Sequence, residues 1–260
     1  MNSEGVRRIV RRLKIHRVLH RAQRAAVFPL RRVALSALVA DPDRHTWLRR
    51  QSWLWQPVHG RGYQERLFGS RTDPYGLASS RDQQAKYDAQ LEALDGQTFD
   101  RALEIGCADG FFTQMLAAKT LDLLAVDVSA AAVTRTRDRL SHLPQVHVEV
   151  RLLPLEMPPG QFDLIVCSDV LYYWANDVLL DALPRLRSML APGGVLLAMH
   201  SLLDFGPPVS GARVHELLRL RLCLDHVAGQ TIPDIGPGGA GFRLDVFRKP
   251  IQRSAHLRGS

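Results

Sequence analysis

Between residues 73 and 250, short apolar runs alternate with longer amphipathic stretches along the chain. The runs have the length of buried strands, and we predict five of them: 101–105, 122–126, 146–151, 162–167 and 194–200. The stretches between them carry apolar residues at helical spacing, which predicts helices at about 110–118, 130–141 and 176–190. Strands and helices that alternate in this way form a parallel sheet with helices on both faces.

The flanks of this region complete the predicted fold. Ser80 is a candidate N-cap for a helix over 81–95, which Gly96 would end. Towards the C-terminus we predict a helix and two antiparallel strands at the sheet edge: 212–221, 222–231 and 241–249. The predicted fold class is a doubly wound α/β domain. Its mostly parallel seven-stranded sheet would end in an antiparallel C-terminal pair.

The first 72 residues differ from the rest in charge. They contain sixteen Lys and Arg against four Asp and Glu, a net charge of +12, whereas the remaining residues carry −4. Apolar spacing indicates helical pieces that Pro29 interrupts. We therefore predict three parts, a basic and partly helical N-terminal extension, one domain and a flexible tail: 1–72, 73–250 and 251–260.

The basic extension has several interpretations. Trp53 and Trp55 lie near arginines and could stack on a nucleic acid, although such aromatics more often pack against a neighbouring domain. The excess of arginine is equally compatible with genome base composition. Residues 1–40 also leave open a peripheral membrane contact through a short amphipathic helix. On balance we do not expect nucleic acid as a partner.

Cysteine usage and hydropathy exclude several protein classes. Three cysteines argue against a disulfide framework and fit a reducing compartment. No Cys/His cluster has the spacing of zinc ligands, so we expect no metal. No apolar run reaches the roughly 18 residues of a membrane span, and the N-terminus lacks the apolar core of a secretory signal. We expect a cytoplasmic protein.

The clearest chemical signal lies in residues 101–113. Small residues at Gly106, Ala108 and Gly110 separate an apolar strand from a helix that begins near Phe111. This arrangement lets a ligand approach bare backbone at the carboxyl end of the first strand, where open α/β sheets bind ligands. The free N–H groups of the helix N-terminus suit a carboxylate, such as that of a bound amino acid.

Asp127 ends the second predicted strand, 21 residues after Gly106. A carboxylate there can accept hydrogen bonds from both ribose hydroxyls of an adenosine. Alternatively Asp127 caps the helix that begins at 130, and both roles are compatible. A dinucleotide fingerprint is not matched, because Ala108 and Phe111 replace its second and third glycines. Glu104 suits the ammonium of a methionine moiety better than a pyrophosphate.

Four segments resemble, in order, the signature motifs of class I S-adenosylmethionine-dependent methyltransferases, which have a Rossmann-like fold: 103–113, 123–129, 162–174 and 190–200. The similarity is greatest to the nodulation N-methyltransferase-like family and covers residues 73–250. It implies S-adenosyl-L-methionine as the cofactor. It also implies a set of cofactor-binding residues: Tyr87, Glu104, Gly106, Gly110, Asp127, Val128, Leu153 and Ser168.

Within that resemblance, Glu104, Gly106 and Gly110 would line the methionine end of the cofactor, and Asp127 would bind the ribose. Val128 would pack on adenine, and Ser168 would lie near the sulfonium. The chain departs from the family at Leu152, where relatives often carry an Asp near the adenine amino group. Leu153 or backbone atoms would then supply that contact.

Candidate catalytic residues lie at the ends of the fourth and fifth predicted strands. Asp169 could orient or deprotonate an acceptor, and His200 titrates near neutrality. A loop carboxylate and a structural histidine are the alternatives. Tyr172 is a third candidate, because it and Tyr173 could form a wall for the acceptor.

The predicted function is methyl transfer from S-adenosylmethionine to an amine or hydroxyl of a small molecule. The resemblance implies a sugar or glycoconjugate, with the amine of a glucosamine-type sugar as the acceptor. Two alternatives stay open. One is an RNA methyltransferase that uses the Arg-rich arm, and the other is a non-catalytic scaffold that binds the cofactor.

Overall fold

A computed structural model of the chain describes residues 60–203, 207–233 and 241–251. The helical pieces and the membrane contact predicted for residues 1–40 lie outside the described residues, as do Trp53 and Trp55. Within the described part, no helix is both long and apolar enough to cross a bilayer.

The chain alternates helices and strands as the apolar pattern predicts. The helices are α1 Arg61–Ser70, α2 Arg81–Ala93, α3 Phe111–Leu116, α4 Ala130–Leu140, α5 Asn176–Met189 and α6 Gly211–Arg221. The strands are β1 Phe99–Ile105, β2 Thr120–Asp127, β3 Val146–Val150, β4 Phe162–Ser168, β5 Leu190–Ser201, β6 Asp225–Ile232 and β7 Phe242–Arg248. Two single 3-10 turns, Ala117–Lys119 and Leu171–Tyr173, follow α3 and β4.

The seven strands form one sheet in the order β3-β2-β1-β4-β5-β7-β6. Strands β1 to β5 are parallel, and β7 runs antiparallel to both β5 and β6. The strand order reverses between β1 and β4, which lie side by side with Leu103 paired to Ile165. This switch point opens a crevice at the carboxyl ends of the two strands. The predicted fold class is confirmed.

Helices cover both faces of the sheet. Alternate residues of β1 point to opposite sides, since Leu103 belongs to a core cluster with α5 and α6, whereas Ala102 packs with α2 and α3. Ala125 and Val133 form a smaller cluster that places α4 against β2 and β3. The central strands are therefore buried on both sides, which explains their continuous apolar runs.

The element bounds differ from the sequence prediction by one to four residues, and two local details have a structural explanation. Strand β5 begins at Leu190 rather than at 194, because the chain continues through Pro192 and Gly193 with a register shift opposite Phe162. Ser80 occupies the N-cap position of α2, but its side chain makes no capping hydrogen bond. Both differences concern local geometry and leave the topology unchanged.

Helix α1, from the predicted N-terminal extension, packs on α4. The carboxylate of Glu65 accepts the N–H of Ala130 at 2.7 Å and the hydroxyl of Ser129 at 2.9 Å. Arg135 donates to the carbonyl oxygen of Phe68 at 2.9 Å. The predicted boundary at residue 72 stays a prediction, but residues before it contact the domain that follows.

Candidate active site

The backbone of the loop after β1 has a positive φ at three alternate residues. Gly106, Ala108 and Gly110 have φ values of 84°, 48° and 77°, a region that favours residues without a Cβ atom. A Cβ atom on Gly106 would lie 3.0 Å from the side chain of Val170. The glycine therefore keeps the backbone bare where the loop faces the switch point.

Asp127 holds this loop from the end of β2. Its carboxylate accepts the N–H of Ala108 at 3.0 Å and the N–H of Ser129 at 2.9 Å. Ser129, not Asp127, caps α4, since its hydroxyl accepts the N–H of Ala132 at 3.3 Å. Burial raises the pKa of Asp127 above its ordinary value, although the backbone N–H groups of Ser129 and Ala108 oppose that effect.

Glu104, at the end of β1, is a buried carboxylate that lacks a complete set of partners. Only 2% of the residue is exposed, and within the described part of the chain its Oε2 atom has no hydrogen-bond partner. Burial raises the pKa of Glu104 to about 7, and the negative charge of Asp127 adds to this rise. A buried carboxylate with an unsatisfied oxygen is costly, so this position favours a ligand that brings a positive charge.

The loop, Glu104 and Asp127 open on one cavity of about 470 Å³. Nine of the eleven predicted site residues line it: Tyr87, Glu104, Gly106, Asp127, Val128, Leu153, Ser168, Asp169 and Tyr172. Gly110 and His200 are not among the lining residues. In the described residues, no group of three or more His, Cys, Asp or Glu side chains is arranged to hold a metal ion.

Gly110 lies behind the cavity wall instead of in it. A Cβ atom at this position would lie 2.6 Å from the Cγ2 atom of Thr136 on α4. The hydroxyl of Thr136 donates to the carbonyl oxygen of Ala108 at 2.7 Å. The glycine therefore allows α3 and α4 to approach closely, which fixes the loop that faces the cavity.

Asp169 faces the cavity from the end of β4 with two donors already in place. Its Oδ1 atom accepts the N–H of Ser201 at 2.7 Å, and its Oδ2 atom accepts Lys86 Nζ at 2.5 Å. Lys86 comes from α2, and its side chain is only 10% exposed. The side chain of Tyr172 is a further hydrogen-bond partner of this carboxylate.

Tyr172 and Tyr173 form an aromatic wall beside Asp169. Their rings meet edge to face, with centroids 4.7 Å apart, and both residues line the cavity. Burial raises the pKa of each phenol well above its ordinary value. Both therefore stay protonated at neutral pH and do not act as bases. Tyr172 is hydrogen-bonded to Asp169 and to Tyr173, and Tyr173 also to Tyr75.

His200 lies on the other side of this wall, fully buried. Its Nε2 atom accepts the N–H of Leu171 at 3.2 Å, and its Nδ1 atom lies 3.2 Å from His215 Nε2. Burial, and then the neighbouring His215, lower the pKa of His200 well below its ordinary value. Its ring contacts that of Tyr172, with centroids 5.2 Å apart, and it is not among the residues that line the cavity.

Several residues that line the cavity were not predicted from the sequence: Gln64, Phe68, Lys86, Arg151 and Trp174. Gln64 and Phe68 are one helical turn apart on α1, a spacing that indicates a shared face. Lys86 gave no such signal, because the buried face of α2 also contains Gln90 and has little apolar periodicity. Tyr75, whose hydroxyl donates to Gln64 at 3.0 Å, closes this side.

Comparison with known proteins places this site in a family. A family model described as Nodulation protein S (NodS) matches residues 65–202. Nodulation protein S of Bradyrhizobium diazoefficiens is 40% identical over 131 residues, which span 48% of this chain and 61% of that protein. The corresponding protein of Sinorhizobium fredii is 36% identical over 127 residues, 47% of this chain and 57% of that protein.

The chain thus spans less than two thirds of the length of these curated relatives. A solved structure is matched more completely. It is the N-methyltransferase NodS of Bradyrhizobium japonicum WM9 in complex with S-adenosyl-L-homocysteine, with a TM-score of 0.67 and 26% identity. The match covers 73% of this chain and 98% of that one. Since the family model matches more than half of the chain, the predicted family is confirmed: this protein belongs to the Nodulation protein S (NodS) family.

Proposed function

We propose that this protein transfers a methyl group from S-adenosylmethionine to an amine or hydroxyl of a small molecule. The observation that carries the proposal is the convergence of three features on one cavity. These are the bare backbone at Gly106, the carboxylate of Asp127 and the unpartnered oxygen of Glu104. The S-adenosyl-L-homocysteine bound to a NodS structure supports the same cofactor here.

The residues present fit this cofactor. Glu104 supplies the buried negative charge that an amino-acid ammonium needs, and its free Oε2 atom is a ready acceptor. Asp127, at the end of β2, would accept hydrogen bonds from the ribose hydroxyls. Val128 and Leu153 offer apolar surface for adenine. Tyr87 and Ser168 would line the remaining wall of this part of the cavity, which we call the cofactor half.

The cofactor, when bound, supplies a methyl group already activated on a sulfonium. The chain must then align the acceptor with that group and hold or remove a proton, and much of the acceleration can come from alignment alone. Asp169 lies in the cavity and is positioned by Ser201 and Lys86. We assign it the role of orienting the acceptor and taking its proton, with Tyr172 hydrogen-bonded to it in the wall.

The acceptor we propose is the amine of a glucosamine-type sugar or glycoconjugate. The name N-methyltransferase, given to the NodS of Bradyrhizobium japonicum, supports an amine. Aromatic walls such as Tyr172 and Tyr173 are compatible with a sugar face, and Asp169 with an ammonium. A hydroxyl acceptor would use the same groups, so the choice between the two rests on the relatives.

Calorimetry on the full chain tests the cofactor. We expect S-adenosyl-L-homocysteine to bind the wild type and to bind the Asp127→Ala variant far more weakly, whereas NAD should bind neither. Binding of NAD without binding of S-adenosyl-L-homocysteine would overturn the methyltransferase proposal.

An acceptor panel tests the reaction. Formation of S-adenosyl-L-homocysteine should be followed with glucosamine, a chitooligosaccharide carrying one free amine, its fully acetylated analogue, and RNA. We expect turnover with the free amine and none with the acetylated analogue. Turnover with RNA alone would favour the RNA alternative, and cofactor binding without turnover on any acceptor would favour a scaffold.

A further inference from the structure

A chain of buried polar side chains lies behind the aromatic wall, outside the cavity. His200 on β5, His215 on α6 and Asp245 on β7 are each at most 1% exposed. The series of hydrogen bonds through them begins at the backbone N–H of Leu171, the first residue of the 3-10 turn that carries Tyr172. Nothing in the proposed methyl transfer uses these three residues directly, yet burying them together is costly unless each is paired.

The hydrogen bonds that link these buried side chains have a fixed direction. A backbone N–H can only donate, so His200 Nε2, which accepts from Leu171 at 3.2 Å, carries no proton. Burial lowers the pKa of both histidines, and each neutral ring then has its proton on Nδ1. His200 Nδ1 thus donates to His215 Nε2 at 3.2 Å, and His215 Nδ1 donates to Asp245 at 2.7 Å.

The series of hydrogen bonds ends at the carboxylate of Asp245. Its Oδ1 atom accepts Arg243 Nε at 3.0 Å and His226 Nε2 at 2.9 Å. Burial alone would raise the pKa of Asp245, but the hydrogen bonds from His215, Arg243 and His226 outweigh it and lower that pKa. The carboxylate therefore stays ionised and gives His215 an immobile acceptor.

The other end of this series, at Leu171, fixes the wall of the cavity. Leu171 begins the turn that carries Tyr172 and Tyr173, and the carbonyl oxygen of Tyr172 accepts the N–H of Val209 at 3.2 Å. We propose that His200, His215 and Asp245 act as positioning residues, which hold the Leu171–Tyr173 turn so that its tyrosines face the acceptor. The inference rests on the proposed function only in naming these tyrosines an acceptor wall.

Two variants at His200 distinguish the roles of its two ring nitrogens, Nε2 and Nδ1. The amide oxygen of Gln can take the place of Nε2, so His200→Gln keeps an acceptor for Leu171. The amide of Asn reaches only the place of Nδ1, so His200→Asn keeps the contact with His215 and leaves the Leu171 N–H unpaired. Both variants lose the imidazole, so loss of ring packing alone would affect them similarly.

The readout is the ¹⁹F NMR spectrum of full-length protein labelled with 3-fluorotyrosine, since the chain has only five tyrosines. Each resonance is assigned by its own Tyr→Phe variant. We expect His200→Asn to shift or broaden the resonances of Tyr172 and Tyr173 and to leave that of Tyr63 unchanged. His200→Gln should show only the smaller change that loss of the imidazole ring causes in both variants. His147→Asn, an exposed histidine on β3, serves as the control.

Equal displacement of the two wall tyrosines in both variants, or displacement in neither, would overturn the inference. Binding of S-adenosyl-L-homocysteine should change less than about twofold in both variants, because the cofactor half is built on the loops after β1 and β2. This spectrum needs no acceptor, so its outcome is independent of whether the acceptor panel supports methyl transfer.

If His200→Asn does not fold, the wild type still tests the inference. Long-range ¹H–¹⁵N spectra report which ring nitrogen carries the proton. We expect the Nδ1–H tautomer for both His200 and His215 between pH 8 and pH 6. An Nε2–H tautomer, or a charged ring, at either position would overturn the directed chain and with it the proposed role.

Discussion

The carboxylate of Asp127 accepts the backbone N–H of Ala108 at 3.0 Å, which joins the loop after β1 to the end of β2. Two ribose hydroxyls on the same carboxylate would add hydrogen bonds of about 1.5 kcal/mol each. Asp127→Ala is therefore expected to weaken S-adenosyl-L-homocysteine binding about 100-fold, measured by calorimetry. Asp138→Ala, which removes an exposed carboxylate from α4, should bind like the wild type. Equal affinities for the two variants would contradict the ribose role.

Binding of S-adenosyl-L-homocysteine should depend on pH through Glu104. Its pKa is raised to about 7 in the free protein, so it is mostly protonated below that pH. A bound ammonium favours the carboxylate and lowers this pKa, so binding releases a proton. The affinity is therefore full above pH 7 and weakens as the pH falls, by up to about tenfold per unit.

The matched variant for this prediction is Glu104→Gln, which has no titrating group. It should bind S-adenosyl-L-homocysteine weakly at every pH from 5 to 8, with no slope from this position. Calorimetry in two buffers of different ionisation enthalpy would reveal the released proton in the wild type. A wild-type affinity that stays constant from pH 7 to pH 5 would rule out Glu104 as the ammonium partner.

Gly110→Ala should destabilise the protein more than Gly96→Ala. Both glycines have positive φ, of 77° and 66°, which costs a non-glycine residue about 1–2 kcal/mol. Only Gly110 faces a steric clash, 2.6 Å from Thr136 Cγ2, whereas a Cβ atom on Gly96 meets nothing within 4 Å. Overpacking should add about 1–3 kcal/mol to the loss in unfolding free energy, measured by urea denaturation.

The steric explanation has its own control. Thr136→Ser removes Cγ2 but keeps the hydroxyl that binds Ala108. The double variant with Gly110→Ala should recover part of the lost unfolding free energy relative to the sum of the single variants. Strict additivity would assign the whole cost to the backbone conformation.

Asp169→Asn should lower the rate of methyl transfer at least about 100-fold, because the amide cannot take a proton. Lys86→Met removes the ammonium that lies 2.5 Å from Asp169 Oδ2 and should lower the rate by about tenfold through lost positioning. Neither change should alter S-adenosyl-L-homocysteine binding. Lys119→Met, which removes a surface ion pair with Asp95, is the control. A fully active Asp169→Asn variant would exclude the carboxylate as base.

The unfolding free energy should fall as the pH decreases below about 6.5. His200 and His215 have lowered pKa values in the folded protein, so only the unfolded chain takes up their protons near pH 6.5. Each therefore contributes stability that is present above pH 6.5 and is lost at lower pH, by about 1.4 kcal/mol per unit. His200→Gln should reduce this slope between pH 6.5 and pH 5.5. Identical slopes would contradict a neutral His200 in the folded state.

The sequence was sufficient to predict how the cofactor half of the cavity is built. Gly106 and Asp127 end neighbouring apolar runs, and the carboxyl ends of parallel strands share one edge of a sheet. The structure brings both to one cavity, in which Asp127 binds the loop that contains Gly106. Local spacing and the rule of alternating strands and helices were enough here, because the two strands are consecutive.

The acceptor half could not be predicted in the same way. The Lys86–Asp169 pair joins residues 83 positions apart, and α2 has no apolar period that indicates which face is buried. His200 was predicted to face the acceptor because it ends a strand. The orientation of its ring, however, depends on α6 and β7, which supply His215 and Asp245 behind it.

The amino-acid sequence by itself determined the family, the order of strands and helices, and the loop that leaves backbone exposed after β1, because these depend on short-range patterns of small, apolar and acidic residues. Tertiary structure alone decided which charged groups share the cavity. It also decided which are paired behind its wall and which carboxylate oxygen lacks a hydrogen-bond partner among the described residues. Those outcomes depend on packing between elements distant in the chain, where a buried charge is stable only if another element supplies its partner.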